Sequence, residues 1–367
     1  MEYKRLSDCA SWGKDRTDNI NYESYISTEN MIKDKGGVTI ASSLPDSKTA
    51  SAYRPSDILL SNIRPYFRKI WYADKNGSCS NDVLVVRANE DIDSKFLYYV
   101  LSDNNFFNYD TVTSKGTKMP RGTQTAIMKY LVPDINIGKQ RKIANILSTY
   151  DNLIENNNKR IKLLEQMAEN LYKEWFVRFR FPGYEDVEFE NGLPKDWKYT
   201  KLERLANIST GKCNREDAEE DGAYPLFDRS QEIKRSNVWL KDCEAIIVPG
   251  EGTSFIPRYY NGKFNLHQRC YCVEPLEKGM GFFLYQTLMM YRIYFLYVAT
   301  GATVPSLRLN NFNDFKVLLP KKELCSQYNE IAEKMNDEIL LLKNKNELLE
   351  KQRDMLLPRL MSGKLEV

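Results

Sequence analysis

Between Gly138 and Phe176 the residues Ile143, Leu147, Tyr150, Ile154, Asn157, Ile161, Leu164, Ala168, Leu171 and Trp175 alternate spacings of four and three. That periodicity lays them along one stripe of a helix. It predicts a coiled-coil seam that is apolar except at Asn157. Glu155/Lys159 and Glu169/Lys173 add pairs at i,i+4 on the wet face. Phe181-Pro182-Gly183 predicts the stop. At ~1.5 Å per residue such a helix is roughly 55–60 Å long, comparable to ~1–1.5 turns of B-DNA.

A second seam runs from about Glu323 to Leu357 through Ile331, Met335, Leu342, Leu349 and Leu356. Leu341, Leu348 and Met355 thicken it, while Glu338, Lys345 and Gln352 interrupt it. Pro358 is expected to end it, because its ring blocks the preceding turn.

The two seams belong to an internal repeat. Tyr3-Lys4-Arg5-Leu6 is echoed by Tyr199-Thr200-Lys201-Leu202, and Gly116-x3-Pro120 by Gly301-x3-Pro305. Pro133 is echoed by Pro320, and Ile143-Ala144 by Ile331-Ala332. At the repeat shift Lys345 corresponds to Asn157, each near the middle of its helix. Two solvated mid-helix positions would explain this pair, and so would a polar layer that fixes an antiparallel register. The chain therefore divides into a globular segment 1–137, a long helix 138–178, a second globular segment 179–322, and a long helix with tail 323–367. The expected fold class is α+β, with two tandem globular domains and two long antiparallel helices related as a pseudo-two-fold repeat.

The first globular segment has strand-like runs at Asp57–Leu60 and Val83–Val86, and an apolar helix expected over Lys95–Asn108. The second has strands at Ala245–Pro249 and Arg269–Val273, and an aromatic helix expected in the core over Phe282–Tyr297.

Over 367 residues, 42% are hydrophobic and 28% charged, with a formal charge of 53 − 50 = +3. Any binding of nucleic acid must then come from local patches. No apolar run is long enough for a membrane span, and Met1-Glu2-Tyr3-Lys4-Arg5 leads into no signal-like core. Seven cysteines without a CxxC pair fit buried thiols in a reducing cytosol. With His267 as the single histidine, a His-rich zinc site, an HNH-type nuclease and any two-histidine mechanism are excluded. There is no Gly-x-Ser-x-Gly elbow, no Walker A loop and no Asn-Pro-Pro-aromatic tetrapeptide, and Gly250-Glu251-Gly252 is a lone GxG. No catalytic, cofactor-binding or metal-ligating residue is expected.

Candidate DNA-binding residues lie in glycine-bearing loops and at strand ends. Gly lets a backbone approach, Lys and Arg meet phosphate, and Arg or Gln can read a base edge bidentately. In the first segment they are Arg64, Tyr66, Arg68, Lys69, Lys115, Thr117, Lys118, Arg121 and Gln124. In the second they are Arg258, Tyr259, His267, Gln268, Arg269, Thr303, Ser306 and Arg308. Solvated surface loops are the plainer explanation of each taken alone. The helix residues Tyr172, Trp175 and Phe176 suit either partner docking or packing on the globular segments, with Trp175 on the seam.

Several stretches together resemble the specificity subunits of Type I restriction-modification systems. They are Gln140-Arg141-Lys142-Ile143-Ala144-Asn145-Ile146-Leu147-Ser148, Asp151-Asn152-Leu153-Ile154, Leu164-Glu165-Gln166-Met167-Ala168 with Trp175-Phe176, Leu193-Pro194-x-Asp196-Trp197, and Leu356-Leu357-Pro358-Arg359-Leu360-Met361-Ser362-Gly363. Their order covers nearly the whole chain. The first domain lacks the Leu-Pro-x-Asp-Trp opening and carries Ser80-Asn81-Asp82 where the second has His267-Gln268-Arg269.

The resemblance implies two target recognition domains, each reading half of a bipartite, asymmetric site on double-stranded DNA. It implies helices that set the gap and dock two methyltransferase subunits carrying S-adenosylmethionine, with ATP-dependent restriction subunits as an optional addition. It also implies a cytoplasmic subunit that itself holds no cofactor and catalyses nothing. A stand-alone DNA-modifying enzyme and a coiled-coil adaptor without a DNA role are the competing explanations.

Overall fold

The computed structural model describes residues 2–365; the chain ends named above at Met1 and at 366–367 lie outside the described residues. Packing divides the chain into two units, Met1–Asn157 with Asn344–Val367, and Asn158–Lys343. The division falls in the middle of both long helices, so each unit combines one globular segment with half of each helix. The four-part division expected from sequence is regrouped in this way because the helix halves pack on globular cores.

In the first unit, Tyr3–Arg5 pairs antiparallel with Leu131–Pro133, and the Leu6 N–H donates to Tyr130 O at 2.8 Å. A four-stranded antiparallel sheet follows in the order Ala10–Trp12, Val83–Ala88, Ile58–Ser61, Ile70–Tyr72. A smaller sheet joins Arg16–Thr17, Ala50–Tyr53, Gly77–Cys79 and Tyr25–Ile26. The larger sheet buries Leu60, Leu84 and Val86 against Phe96, Leu97 and Phe106, and against Ile143, Leu147, Leu357 and Leu360 of the long helices.

The second unit repeats this frame. Lys198–Lys201 pairs with Lys316–Leu319, and the Leu202 N–H donates to Phe315 O at 2.8 Å. Its sheet is one continuous six-stranded layer: Ala206–Thr210, Cys270–Pro275, Lys241–Pro249, Arg258–Leu266, Tyr224–Phe227, Lys234–Ser236. The long Lys241–Pro249 and Arg258–Leu266 pair corresponds to strands that the first unit breaks in two, so one layer there becomes two small sheets. Tyr172, Trp175 and Phe176 are all buried in this unit's core beside Phe283 and Tyr328, which settles their role as packing.

The expected α+β repeat with two long helices is present. Every predicted member of the first seam is buried or half-buried, nine along Ile137–Tyr172 and Trp175 in the wider π-helical turn Lys173–Val177 that closes that helix. Pro358 does not end the second helix, which runs Lys322–Met361. Burial of Leu357, Leu360 and Met361 in the first unit's core outweighs the one hydrogen bond the proline forgoes.

Lys345 is exposed, and Asn346 is the residue that meets Asn157. The Asn157 Nδ2 donates to Asn346 Oδ1 at 2.8 Å, with both residues buried. The seam runs through Ile339, Leu342, Asn346 and Leu349, leaving Leu341, Leu348 and Met355 exposed to one side. The expected helix at Lys95–Asn108 is two helices, Ser94–Ser102 and Asn104–Thr113. Asp103, extended between them, caps the second by accepting from the Asn105 N–H at 2.7 Å. The aromatic helix likewise splits into Gly281–Met290 and Arg292–Val298, and Tyr291, Tyr294 and Tyr297 face solvent instead of the core.

The asparagine layer makes a stability prediction. Asn157→Leu leaves the Asn346 amide buried without that partner and costs about 1–3 kcal/mol. The double replacement Asn157→Leu/Asn346→Leu recovers part of the loss, since the pair of amides is then replaced by an apolar pair of similar volume. Urea unfolding of the three chains checks this; a double variant no better than the single one would refute it.

Candidate nucleic-acid interface

In each unit one loop is closed by the same backbone frame. In the first, Lys115 and Arg121 exchange N–H···O bonds of 2.9 Å, the Arg64 N–H donates to Pro120 O at 2.8 Å, and the Gly122 N–H to Asn62 O at 3.1 Å. In the second, Thr300 and Ser306 exchange bonds of 2.9 and 2.7 Å, the Gly252 N–H donates to Pro305 O at 3.0 Å, and the Leu307 N–H to Gly250 O at 2.8 Å. Gly116 and Gly301 turn each tip at φ of 100° and 112°, which favours glycine. The lone GxG is part of this frame. A Cβ on Gly250 would lie 2.7 Å from Arg269 O, so glycine lets the chains close up.

The hairpin tip of the first unit exposes Lys115, Thr117 and Lys118. Arg121 is exposed beside them and pairs with Asp82 at 3.1 Å. Gln124 is exposed at the start of a short helix, Gln124–Ile127. The segment at 62–64 brings Arg64 to the hairpin in a left-handed conformation, its guanidinium 5.8 Å from the Phe67 ring. Tyr66 is exposed on the turn Pro65–Phe67. Arg68 and Lys69 are engaged elsewhere. Arg68 donates to Asp34 through Nε at 2.9 Å and to Asn104, and Lys69 Nζ donates to Thr28 O at 2.6 Å. Burial pulls the Lys69 ammonium below its ordinary range.

In the second unit Thr303 and Arg308 are exposed on the hairpin and just after it, and the half-buried Ser306 hydroxyl donates to Val304 O at 3.3 Å. Arg269 is exposed next to it and ion-pairs with Glu251, whose backbone bridges Ser306. Gln268 is exposed and donates to Asn214 Oδ1 at 2.6 Å. Three other candidates are held by the fold. Arg258 donates from Nη1 to Ser230 O at 2.8 Å and from Nη2 to Asp228 O at 2.6 Å, over the Phe227 ring. The Tyr259 hydroxyl donates to Glu244 Oε1 at 2.7 Å, and its ring stacks on Phe282 at 4.0 Å. His267 is buried, and its Nδ1 accepts from the Arg269 N–H at 3.0 Å. Burial first, and then the Arg229 charge, lower its pKa and favour the neutral ring.

The units differ in charge at equivalent places. Asp82 of the first corresponds to Arg269 of the second, so an acid faces one hairpin and a base the other. Sequence reasoning missed three residues. Arg229 lies in a turn after the strand Tyr224–Phe227, and Glu251 between the glycines of the GxG; only their loop position hinted at them. Asp110 is fully buried beneath the first hairpin, and neither carboxylate oxygen has a hydrogen-bond partner among the described residues. The matching place in the second unit holds Phe295. Nothing in the sequence of the Asn104–Thr113 helix singled out Asp110.

Among the described residues no group of three His, Cys, Asp or Glu could hold a metal ion, and no helix is long and apolar enough to cross a membrane. The cysteines are all free thiols; all but the half-buried Cys243 are buried.

The sequence profile of the Type I restriction modification DNA specificity domain matches twice, at residues 9–166 and 194–351. The Type I restriction enzyme MjaIX specificity subunit of Methanocaldococcus jannaschii is 25% identical over 300 residues, 75% of this chain and 69% of that one. The Type I restriction enzyme EcoDI specificity subunit of Escherichia coli is 36% identical over 144 residues, 39% of this chain and 31% of that one. The crystal structure of a Type I restriction-modification S subunit from M. genitalium superposes with a TM-score of 0.62 at 17% identity, covering 98% of this chain and 96% of that one.

Proposed function

Since the chain belongs to the Type I restriction-modification DNA specificity family, we propose that it is the non-catalytic specificity subunit of such a complex. Each of its units reads one half of a bipartite, asymmetric site on double-stranded DNA. The observation that carries this reading is the hairpin built twice on one backbone frame with different exposed side chains. Such a pair presents two distinct sets of donors from one architecture, as two unlike half-sites require. The long helices set the gap between half-sites and dock two methyltransferase subunits, which bring S-adenosylmethionine and methylate an adenine in each half. ATP-dependent restriction subunits are an optional addition, and the complex works in the cytoplasm. Leu341, Leu348 and Met355, exposed at seven-residue spacing, support protein docking on the second helix.

Single-molecule methylome sequencing of the source cell with and without the gene tests this. Loss of one bipartite adenine motif with a fixed gap is the expected result. Replacing residues 179–322 by another recognition domain should then change one half-site and leave the other half and the gap intact. A motif that survives deletion, or both halves changing on replacement, would overturn the reading.

A further inference from the structure

In the second unit a carboxylate holds two arginines at the base of the hairpin. Glu251 is only 10% exposed at its side chain, while Arg229 and Arg269 are 47% and 59% exposed at theirs. Arg229 donates through Nη1 to Glu251 Oε2 at 2.5 Å, and Arg269 through Nη1 to Oε1. Burial opposes ionisation of Glu251, but the two arginine hydrogen bonds outweigh it and hold the group charged. The main chain on both sides of Arg229 is also fixed. The Arg258 guanidinium donates to the carbonyls of Asp228 and Ser230, its two neighbours. Asp228 in turn accepts from the Ser230 N–H at 2.7 Å and from Lys234 at 2.7 Å. Arg229 is thus restrained at its backbone and at its head while remaining half exposed.

Both arginines use the same terminal nitrogen on Glu251. Their Nε/Nη2 edges make no further hydrogen bond among the described residues. That is the edge with which Arg87, in the first unit, grips both oxygens of Asp57 at 2.8 Å. Two acceptors side by side are what it fits, and in the major groove guanine offers them as O6 and N7. A phosphate offers a similar pair, but a phosphate site gains nothing from a carboxylate at its centre. A neutral base edge tolerates that carboxylate, and it benefits from the fixed orientation.

We propose that Arg229 and Arg269 are the guanine-reading residues of the half-site recognised by residues 179–322, with Glu251 as the residue that positions them. This rests on the DNA-specificity reading above. The test uses the chain assembled with its modification subunits, and reads the methylated motif for wild type, Arg229→Gln, Arg269→Gln and Glu251→Gln. Each arginine variant is expected to lose preference at one G·C pair of that half-site, by roughly 10–100-fold. Glu251→Gln should relax both positions, and the other half-site should stay unchanged. Arg229→Lys, which keeps the charge but not the fork, should behave like Arg229→Gln.

A uniform fall in methylation with an intact motif, rescued by Arg229→Lys and flattening the salt dependence, would mean phosphate contact and overturn the proposal. So would an unchanged motif in all variants, or a half-site without a G·C pair. Failure of the specificity reading looks different: wild type itself would then direct no bipartite motif.

Discussion

Arg87→Ala lowers the stability of the first unit by about 3–5 kcal/mol, because it strands a buried carboxylate. Arg87, on the strand Val83–Ala88, donates through Nε and Nη2 to the two oxygens of Asp57, each at 2.8 Å, and through Nη1 to Asp15 at 2.7 Å. The Asp57 side chain is 2% exposed, and its remaining bond comes from the Arg54 N–H at 2.9 Å. With the guanidinium gone, one backbone donor is left for a charge that water hardly reaches. Arg87→Lys loses less, since it keeps the charge without the fork. Replacing Arg87 and Asp57 together by leucine recovers most of the loss, because the one charge left without its partner, Asp15, is exposed to water. Urea unfolding midpoints order the variants. A loss below about 1 kcal/mol in Arg87→Ala would mean that water reaches the Asp57 carboxylate in the variant and replaces the guanidinium.

Asp110→Asn has the opposite sign and depends on pH. Burial raises the Asp110 carboxyl from 3.8 to about 7. Below about pH 4 the group is protonated whether the chain is folded or not, and it carries no penalty. Between pH 4 and 7 the unfolded chain releases a proton that the folded chain keeps, so stability falls as pH rises and levels off above 7. At about 1.4 kcal/mol per pH unit the loss across that window is about 4 kcal/mol. The asparagine variant is therefore close to wild type at pH 4 and more stable by several kcal/mol at pH 8. Unfolding of both chains at pH 4, 6 and 8 measures the difference. A difference that does not grow with pH would show that the ionised carboxylate has a bound water or cation as partner. Gly122 sharpens the case, since a Cβ there would lie 2.5 Å from Asp110 Oδ1; the hairpin closes directly over the buried acid.

The first long helix was legible because ten seam positions repeat one message, and a single polar member does not blur it. The second was legible as a helix but not in its facing. Leu341, Leu348 and Met355 form as regular a stripe as Leu342 and Leu349, and a pattern along one helix does not name its partner. The choice of Asn346 over Lys345 was made by Asn157, 189 residues away. Both hairpins could be read because Gly-x3-Pro recurs at matching points. Which basic residues remain available could not be read, because their partners are distant in sequence: Arg68 with Asp34 and Asn104, Lys69 with Thr28, Arg258 with the turn at 228–230. Arg229 went unnoticed for the same reason, since what distinguishes it is the set of groups that restrain it. The break at Asp103 was visible in principle as an N-cap residue, but the apolar run on either side masked it.

The frame that closes each hairpin consists of main-chain bonds, and between Gly116 and Pro120, or Gly301 and Pro305, no side chain is needed to hold it. Substitutions at those tips leave folding untouched while changing what the tip presents. On the proposed reading of the two hairpins as DNA contacts, new recognition sequences are reachable through intermediates that all keep the fold. What constrains such change is the pair of tip glycines and the main-chain frame around them.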